Sequence, residues 1–243
     1  MLSIIVPVLN EEGNISRFLH VLGSSSRYFC EVLVVDGGST DRTVEIAAKY
    51  PKVKCLESTV DREYGARNDG ARVAKGDYLL FLDADTLVYP EMFRRIIRAI
   101  QAGIDCLAST DTTMSENLLL RIQSNAYNLL RLLLARVRLR FFTTGNFILI
   151  RKQVFSSLGG FEEDINGDAR LGRKIVANKL SYALLNCYRY VYVSSRRAKN
   201  GVLALNRYYF YAIENYFPSL IKFEFFKKKH DLFNSLWKNR MLR

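Results

Sequence analysis

The chain has 243 residues, 49% of them hydrophobic and 25% charged, which is typical of a globular protein with a packed core. Its four cysteines are scattered without a CxxC pair, which argues against a structural zinc site and a disulfide framework. The net charge of +12 is uneven, because residues 1–116 carry 13 Lys+Arg against 17 Asp+Glu and residues 117–243 carry 23 against 7. The second half is therefore expected to meet an acidic partner, which is a phosphate, a nucleic acid or an anionic membrane.

The first residues, Met1–Pro7, form one short apolar stretch without a basic segment before it, and they predict a strand rather than a signal peptide. The sequence contains no run of 18 uncharged apolar residues, so no transmembrane helix is predicted. We expect a cytoplasmic protein, with the inner face of the cell membrane as a candidate site of peripheral attachment.

Short apolar runs alternate with longer amphipathic runs over the first hundred residues. This rhythm predicts an α/β fold, a doubly wound three-layer sandwich with a mostly parallel sheet. The predicted strands are Ser3–Val8, Glu31–Val35, Val53–Glu57, Tyr78–Leu82 and Ile104–Ser109, and the predicted helices lie near residues 12–22, 41–49, 63–74 and 90–101.

The second half of the chain is different in character. Residues 117–140 are rich in leucine, contain five arginines and no acid, and predict a helix. A strand near 144–150, a loop from Gly159, a helix over Asp168–Lys179 and a last strand over Tyr188–Ser194 follow. Residues 196–243 hold 11 basic and three acidic residues among tyrosines and phenylalanines, and they predict a basic, aromatic, helical C-terminal extension.

Three polar motifs each follow a predicted strand: Asn10-Glu11-Glu12, Asp36-Gly37-Gly38-Ser39 and Asp83-Ala84-Asp85. Ligands of such sheets bind beyond the carboxyl ends of the strands, so we expect the three motifs to meet at one edge. The carboxylates of Asp83 and Asp85 suit a hard divalent cation that takes its other ligands from phosphates and water. An Asx-type turn is the alternative interpretation of this pair.

Five motifs together resemble those of the family 2 glycosyltransferases, enzymes of the GT-A fold that use nucleotide-diphosphate sugars. They are Val6–Glu12, Val34–Asp41, Gly65–Asn68, Gly76–Tyr78 and Asp83–Asp85, and the resemblance spans roughly residues 2–195. It implies a GT-A domain over residues 1–195, with a nucleotide-sugar half over 1–116 and an acceptor half over 117–195.

The resemblance also implies roles for residues of the first half. Pro7, Asn10 and Glu11 would line the nucleoside pocket, and Asp36 would lie near the base or ribose. Arg67 and Asn68 would approach the nucleotide. Asp83 would touch the ribose and the metal, and Asp85 would be the direct ligand of Mg²⁺ or Mn²⁺. Many members have two acids where this chain has Asp36-Gly37; a strand-to-helix turn is the alternative there, and a solvated helix charge is the alternative for Arg67.

In the second half, Gly159-Gly160-Phe161 resembles the family's GGF segment, and Asp168 matches the position of the general base. The family usually has a glutamate directly before this aspartate, where this chain has Gly167. A helix N-cap is the alternative for Asp168, and Glu162, Glu163 and Asp164 are substitute carboxylates. Arg196 and Arg197 would bind the leaving diphosphate, with a solvated basic turn as the alternative.

The implied function is inverting transfer of a sugar from a UDP- or GDP-linked donor to a saccharide, a lipid or a polyprenyl phosphate. A nucleotidyltransferase is disfavoured, since its phosphate loop near the first strand is usually basic and glycine-rich, whereas Asn10-Glu11-Glu12 is acidic. A non-catalytic lipid- or RNA-binding protein is the other alternative. Aromatic residues and lysines over 207–237 favour an anionic membrane surface as a partner, with packing on the core as the alternative. The sequence lacks a nucleic-acid-binding motif.

Overall fold

The computed structural model of the chain describes residues 1–60, 63–114, 117–136, 143–162, 167–187 and 190–194. A seven-stranded sheet in the order β3-β2-β1-β4-β8-β6-β9 forms its centre. The strands are β1 (Leu2–Val8), β2 (Glu31–Asp36), β3 (Val53–Glu57), β4 (Tyr78–Leu82), β6 (Cys106–Ser109), β8 (Phe147–Arg151) and β9 (Tyr182–Leu185). Only β8 runs antiparallel to its neighbours β4 and β6, so the predicted mostly parallel sheet is confirmed.

A second, three-stranded sheet lies beside the first one, in the order β5-β10-β7. Its strands are β5 (Thr86–Val88), β7 (Thr112–Met114) and β10 (Val191–Ser194). The last described strand, β10, pairs antiparallel with β5, and β5 directly follows Asp85.

Seven helices occur in the described residues: α1 (Glu12–Gly23), α2 (Thr43–Ala47), α3 (Glu63–Val73), α4 (Pro90–Gln101), α5 (Leu118–Arg136), α6 (Lys152–Ser157) and α7 (Gly167–Ala177). Alternate residues of the buried strands face opposite layers. Ile4 and Val6 of β1 join the core that includes α1 and α4, whereas Ile5 joins the core that includes α3, α6 and α7. The predicted three-layer sandwich is confirmed.

The close approach of α3 to β1 depends on Gly70. A Cβ atom at this position would lie 2.6 Å from Cγ2 of Ile5, so a side chain here would push the helix off the sheet. The residues at the start of α3 are thereby held over the sheet edge where β1 and β4 end.

Several elements differ from the prediction. The strands β5 and β7 and the helix α6 are too short to show a periodicity, and β9 was not predicted. The helix α2 covers only Thr43–Ala47. The strand β8 begins at Phe147, whose N–H closes a turn by donating to the carbonyl of Thr144 at 3.2 Å.

Some predictions lie outside the described residues, among them the last four residues of the predicted 117–140 helix and the extension over 196–243. The division of the chain at residue 195 stays a prediction. Among the described helices, none has the length and apolar character needed to cross a membrane.

Candidate active site

The first group of predicted site residues closes the turns that follow β1 and β2. The backbone N–H of Asn10 donates to Oγ of Ser39 at 2.9 Å, and the N–H of Thr40 donates to Oδ1 of Asn10 at 2.9 Å. Asp36 accepts the N–H of Ser39 at 3.0 Å and that of Gly38 at 3.2 Å. Asn10 adopts a left-handed backbone with φ of 53°, which asparagine tolerates better than most residues. The two turns are therefore fixed against each other, and Asp36 forms the turn that was its alternative role.

Pro7 and Glu11 belong to the same part of the edge. Pro7 pairs in register with Val35 of β2. The N–H of Glu11 donates to Oγ1 of Thr43 at 2.8 Å, and its carboxylate accepts Nδ2 of Asn14 at 2.7 Å. The structure thus brings together Pro7, Asn10 and Glu11, which were predicted to line the nucleoside pocket, and Asp36, which was predicted to lie near the base or ribose. Their contact with a nucleoside stays a prediction.

Asp83 and Asp85 lie in a turn at the end of β4. The N–H of Thr86 donates to the carbonyl of Asp83 at 3.0 Å and closes this turn. Asp85 is only 8% exposed. Asp83 pairs with the guanidinium of Arg67. The two carboxylates are held at the strand end by the backbone turn, and one of them is also fixed by a buried cation.

Arg67 is a fully buried residue of α3, which excludes the solvated-charge alternative. Its Nη2 donates to Glu63 at 2.8 Å as well as to Asp83. Burial alone would lower the pKa of Arg67, but the negative charges of Asp83 and Glu63 raise it above its ordinary value. In this structure Arg67 acts as the counterion of the Asp83 carboxylate, and its direct contact with a nucleotide stays a prediction.

Asn68 holds the loop that contains the GGF segment. Its Nδ2 donates to the carbonyl of Phe161 at 2.9 Å, and its Oδ1 accepts the N–H of the same residue at 3.0 Å. Gly160 has φ of 72°, and a Cβ atom there would lie 2.8 Å from Oδ1 of Asn68. The side-chain amide of Asn68 therefore connects the two halves of the chain, and its predicted role at the nucleotide stays untested.

Asp168, the predicted general base, lies in the first turn of α7. Its Oδ2 accepts the N–H of Gly145 at 3.0 Å, and its Oδ1 accepts the N–H of Ala169 at 2.7 Å. The side chain of Tyr64 lies near this carboxylate and acts to lower its pKa. Burial raises the pKa of Asp168 and the nearby charge of Glu63 raises it further, whereas the N–H of Ala169, the side chain of Tyr64 and the charge of Arg67 only partly oppose this rise.

Asp83 and Asp168 both lie near the first turn of α3. Arg67 pairs with Asp83 and with Glu63, and the side chain of Tyr64 and the charges of Glu63 and Arg67 shift the pKa of Asp168. A Cβ atom on Gly145 would lie 3.4 Å from Nη2 of Arg67 and 3.9 Å from the hydroxyl of Tyr64. Gly145 therefore packs directly on this turn. The predicted metal pair and the predicted base are parts of one charge network.

Three members of this network were not predicted from the sequence: Glu63, Tyr64 and Gly145. The four-residue spacing of Glu63 and Arg67 is the helical ion-pair spacing and could have identified the first. Gly145 was assigned to a predicted strand, and only the tertiary structure places it against Asp168.

Of the three substitute carboxylates, Glu162 lies among the described residues. Glu162 pairs with Arg170 and with Lys174 at 3.0 Å, and these hydrogen bonds lower its pKa, which makes it a weaker base than Asp168. Glu163 and Asp164 lie outside the described residues, as do Arg196 and Arg197.

The donor set fits a hard divalent cation that is shared with a substrate. In the described part of the chain, no three His, Cys, Asp or Glu side chains cluster as a complete metal site. Asp83 and Asp85 offer oxygen ligands only, and the side chain of Asp83 is 14% exposed. Mg²⁺ and Mn²⁺ are commonly bound by one or two carboxylates together with phosphate oxygens. The site suits such a shared ion better than a resident structural one.

Comparison with known proteins gives a consistent family. A family model described as glycosyl transferase family 2 matches residues 3–159. The chain is 35% identical over 109 residues to the uncharacterized glycosyltransferase YibD of Escherichia coli, covering 43% of this chain and 32% of that protein. It is 32% identical over 117 residues to the undecaprenyl-phosphate 4-deoxy-4-formamido-L-arabinose transferase of Edwardsiella ictaluri, covering 44% of this chain and 36% of that protein. The match thus spans about a third of the length of these relatives.

Solved structures share the fold at low sequence identity. TarS of S. aureus in complex with UDP-GlcNAc is 22% identical with a TM-score of 0.65, covering 80% of this chain and 58% of TarS. The mannosyltransferase PcManGT of Pyrobaculum calidifontis, in complex with GDP-Man and Mn²⁺, is 21% identical with a TM-score of 0.67, covering 91% of this chain and 64% of that one. The predicted GT-A fold is confirmed by these matches.

Proposed function

We propose that this chain, which belongs to glycosyl transferase family 2, transfers a sugar from a UDP- or GDP-linked donor to an acceptor presented at a membrane surface, with inversion at the anomeric carbon. The observation that carries the proposal is the charge network around the first turn of α3. There Arg67 pairs with Asp83 and with Glu63, and Asp85 follows Asp83 by two residues. The charges of Arg67 and Glu63 and the side chain of Tyr64 act on the carboxyl group of Asp168.

The donor would bind across the carboxyl edge of the first half. Asn10, Glu11 and Asp36 would accept hydrogen bonds from the base and ribose, since carboxylate and amide oxygens suit those N–H and O–H groups. Arg196 and Arg197 would contact the diphosphate. A divalent ion held by Asp85 with help from Asp83 would neutralise the diphosphate leaving group. The relatives with GDP-Man and Mn²⁺ or with UDP-GlcNAc support this donor class.

The chemical step would be a single displacement. An acceptor hydroxyl oxygen forms the new bond to the anomeric carbon, the bond from that carbon to the diphosphate breaks, and the hydroxyl proton passes to the carboxylate of Asp168. A raised pKa makes Asp168 a stronger base than an ordinary aspartate. Arg67 would keep Asp83 ionised and oriented, and Tyr64 with the N–H of Gly145 would orient Asp168.

The acceptor class is supported by two observations. Residues 117–243 carry a large excess of positive charge, which favours an anionic surface. One relative is named for transfer to undecaprenyl phosphate. If the acceptor is itself a phosphate, its nucleophilic oxygen is already anionic and Asp168 contributes little.

The test of the donor proposal is binding of nucleotide diphosphates. UDP and GDP with Mn²⁺ should raise the melting temperature of the protein by mass action, and Asp85→Ala should abolish the part of that shift that needs Mn²⁺. Asp77→Ala is the matched control, because Asp77 is an exposed aspartate paired with the chain terminus. A non-catalytic lipid- or RNA-binding protein would show neither shift. A shift of equal size in Asp85→Ala would contradict the metal assignment.

The test of the base is Asp168→Asn at saturating donor. For a hydroxyl acceptor the rate should fall on the order of 10²–10⁴-fold. Nearly full turnover with a polyprenyl phosphate would contradict Asp168 as the base and identify a phosphate acceptor.

A further inference from the structure

The helix α5 is amphipathic in the opposite sense to an ordinary surface helix. Ser124, Asn128 and Arg131 face the protein and are at most 3% exposed. Six apolar residues point away from it and are between 37% and 65% exposed: Leu118, Leu119, Ile122, Leu129, Leu130 and Leu133. We call these six residues the outer face of α5.

The structure explains why the polar residues point inward. α5 covers the edge where β6 ends, and backbone carbonyls there need donors. Nη2 of Arg131 donates to the carbonyl of Ser109 at 3.1 Å, and Nδ2 of Asn128 donates to the carbonyl of Asp111 at 2.8 Å. Because these bonds fix the rotation of the helix, the six residues of the outer face point away from the protein, whereas Leu120 is buried.

The outer face is one continuous strip. At 100° per residue, its six members fall within about 120° of the helix circumference, and they extend along about 22 Å of helix. Contiguous exposed apolar surface of this kind marks an interaction site.

The charges around the outer face of α5 indicate which kind of partner it binds. Arg121 and Arg136 are exposed on the same helix, and residues 117–136 contain no acid. A second copy of α5 would bring like charges together. The basic extension over residues 196–243, with 11 basic and three acidic residues, would meet the same repulsion. An anionic lipid surface complements both the leucines and the arginines.

We propose that the outer face of α5 docks on an anionic membrane, with the helix lying in the plane of the lipid head groups. This proposal rests on the proposed function in one respect, which is that the acceptor is presented at a membrane. α5 packs on β7 and bonds to the loop after β6, so its docking would bring the carboxyl edge of the sheet near the lipid surface.

The first test is binding to vesicles of phosphatidylglycerol and phosphatidylcholine. The double variant Ile122→Gln with Leu129→Gln should bind about tenfold more weakly or worse, since two exposed apolar side chains lose their lipid contact. Val73→Gln is the matched control, because Val73 is 52% exposed on α3, and its binding should be unchanged. Equal binding of the double variant and the wild type would overturn the proposal, as would a failure of the wild type to bind.

A second test reports the contact itself. The chain has one tryptophan, Trp237, so Leu129→Trp in a Trp237→Phe background gives a single reporter. Its fluorescence should shift to the blue on vesicles and be quenched by brominated lipid, whereas Val73→Trp in the same background should not change. An unquenched Leu129→Trp on bound protein would mean that another segment makes the contact. A dimer that the double variant dissociates would mean that the partner is a second copy.

Nucleotide binding is measured on the same double variant. Its thermal shift with UDP or GDP and Mn²⁺ should equal that of the wild type. Loss of vesicle binding with an intact nucleotide shift supports the docking surface, and a missing nucleotide shift in the wild type contradicts the proposed function alone.

Discussion

Arg67→Met is expected to destabilise the protein strongly. The substitution removes the buried cation that pairs with Asp83 and Glu63, and the Asp83 side chain is only 14% exposed. Removing one partner of a buried ion pair typically costs about 3–5 kcal/mol in the free energy of unfolding. The Glu63 side chain is 36% exposed and can be solvated by water, so most of the cost comes from Asp83.

Arg72→Met on the same helix is the matched control. Arg72 pairs with Asp69 at 2.9 Å, but its side chain is 67% exposed, and Asp69 also accepts hydrogen bonds from Ser58 and Thr59. An exposed pair of this kind is worth about 0–1 kcal/mol. Urea unfolding of the two variants gives the comparison directly.

The double variant Arg67→Met with Asp83→Asn should recover part of the loss, because it removes the negative charge of Asp83 together with the cation that pairs with it. If Arg67→Met cost no more than Arg72→Met, Arg67 would not be the counterion that holds Asp83, and the charge network would not exist in solution as described.

Two further predictions concern the acceptor half. Because the pKa of Asp168 is raised and a base must be ionised, the acid limb of kcat/KM should lie above the ordinary carboxyl value of about 3.9; a limb at or below that value would contradict the burial of this carboxylate. The protonated form is favoured by folding, so its contribution to stability is present below the ordinary pKa and lost as pH rises through the folded pKa. In urea unfolding, the stability of Asp168→Asn relative to the wild type should therefore increase as the pH rises above the ordinary carboxyl value. Gly160→Ala should cost more stability than Gly159→Ala, since both have positive φ but only the former places a Cβ atom against Asn68; equal losses in urea unfolding would mean that the contact with Asn68 does not matter.

The carboxyl edge of the sheet could be predicted because two simple patterns coincide there. Buried strands such as Tyr78–Leu82 appear as short apolar runs, and in a parallel sheet the residues that follow them must share an edge. The position of Asp83-Ala84-Asp85 followed from this rule alone. The fixed turns around Asn10 and Asp36 followed in the same way.

The network around α3 could be predicted only in part. Periodicity identified the helix, but it does not tell whether Arg67 points to a ligand or to a carboxylate inside the protein. That choice depends on Asp83, 16 residues further along the chain. The hydrogen bond between Gly145 and Asp168 joins residues 23 positions apart in the sequence, and no local sequence pattern predicts it.

The orientation of α5 was beyond sequence reasoning for a physical reason. A helical period identifies two faces, and the usual assumption is that the apolar one is buried. Here the backbone carbonyls of Ser109 and Asp111 accept hydrogen bonds from the polar face instead. The hydrogen bonds to backbone carbonyls after β6 thus determine which side of the helix packs on the protein.

The central claim is that this site transfers sugar with the help of a divalent ion. It is tested most directly by measuring UDP or GDP released from UDP- and GDP-linked sugars in the presence of Mn²⁺ and vesicles that contain polyprenyl phosphate. Release should occur with at least one donor, stop in excess EDTA, and stop in Asp85→Ala but not in Asp77→Ala. Release that continues undiminished in EDTA and in Asp85→Ala would contradict the claim.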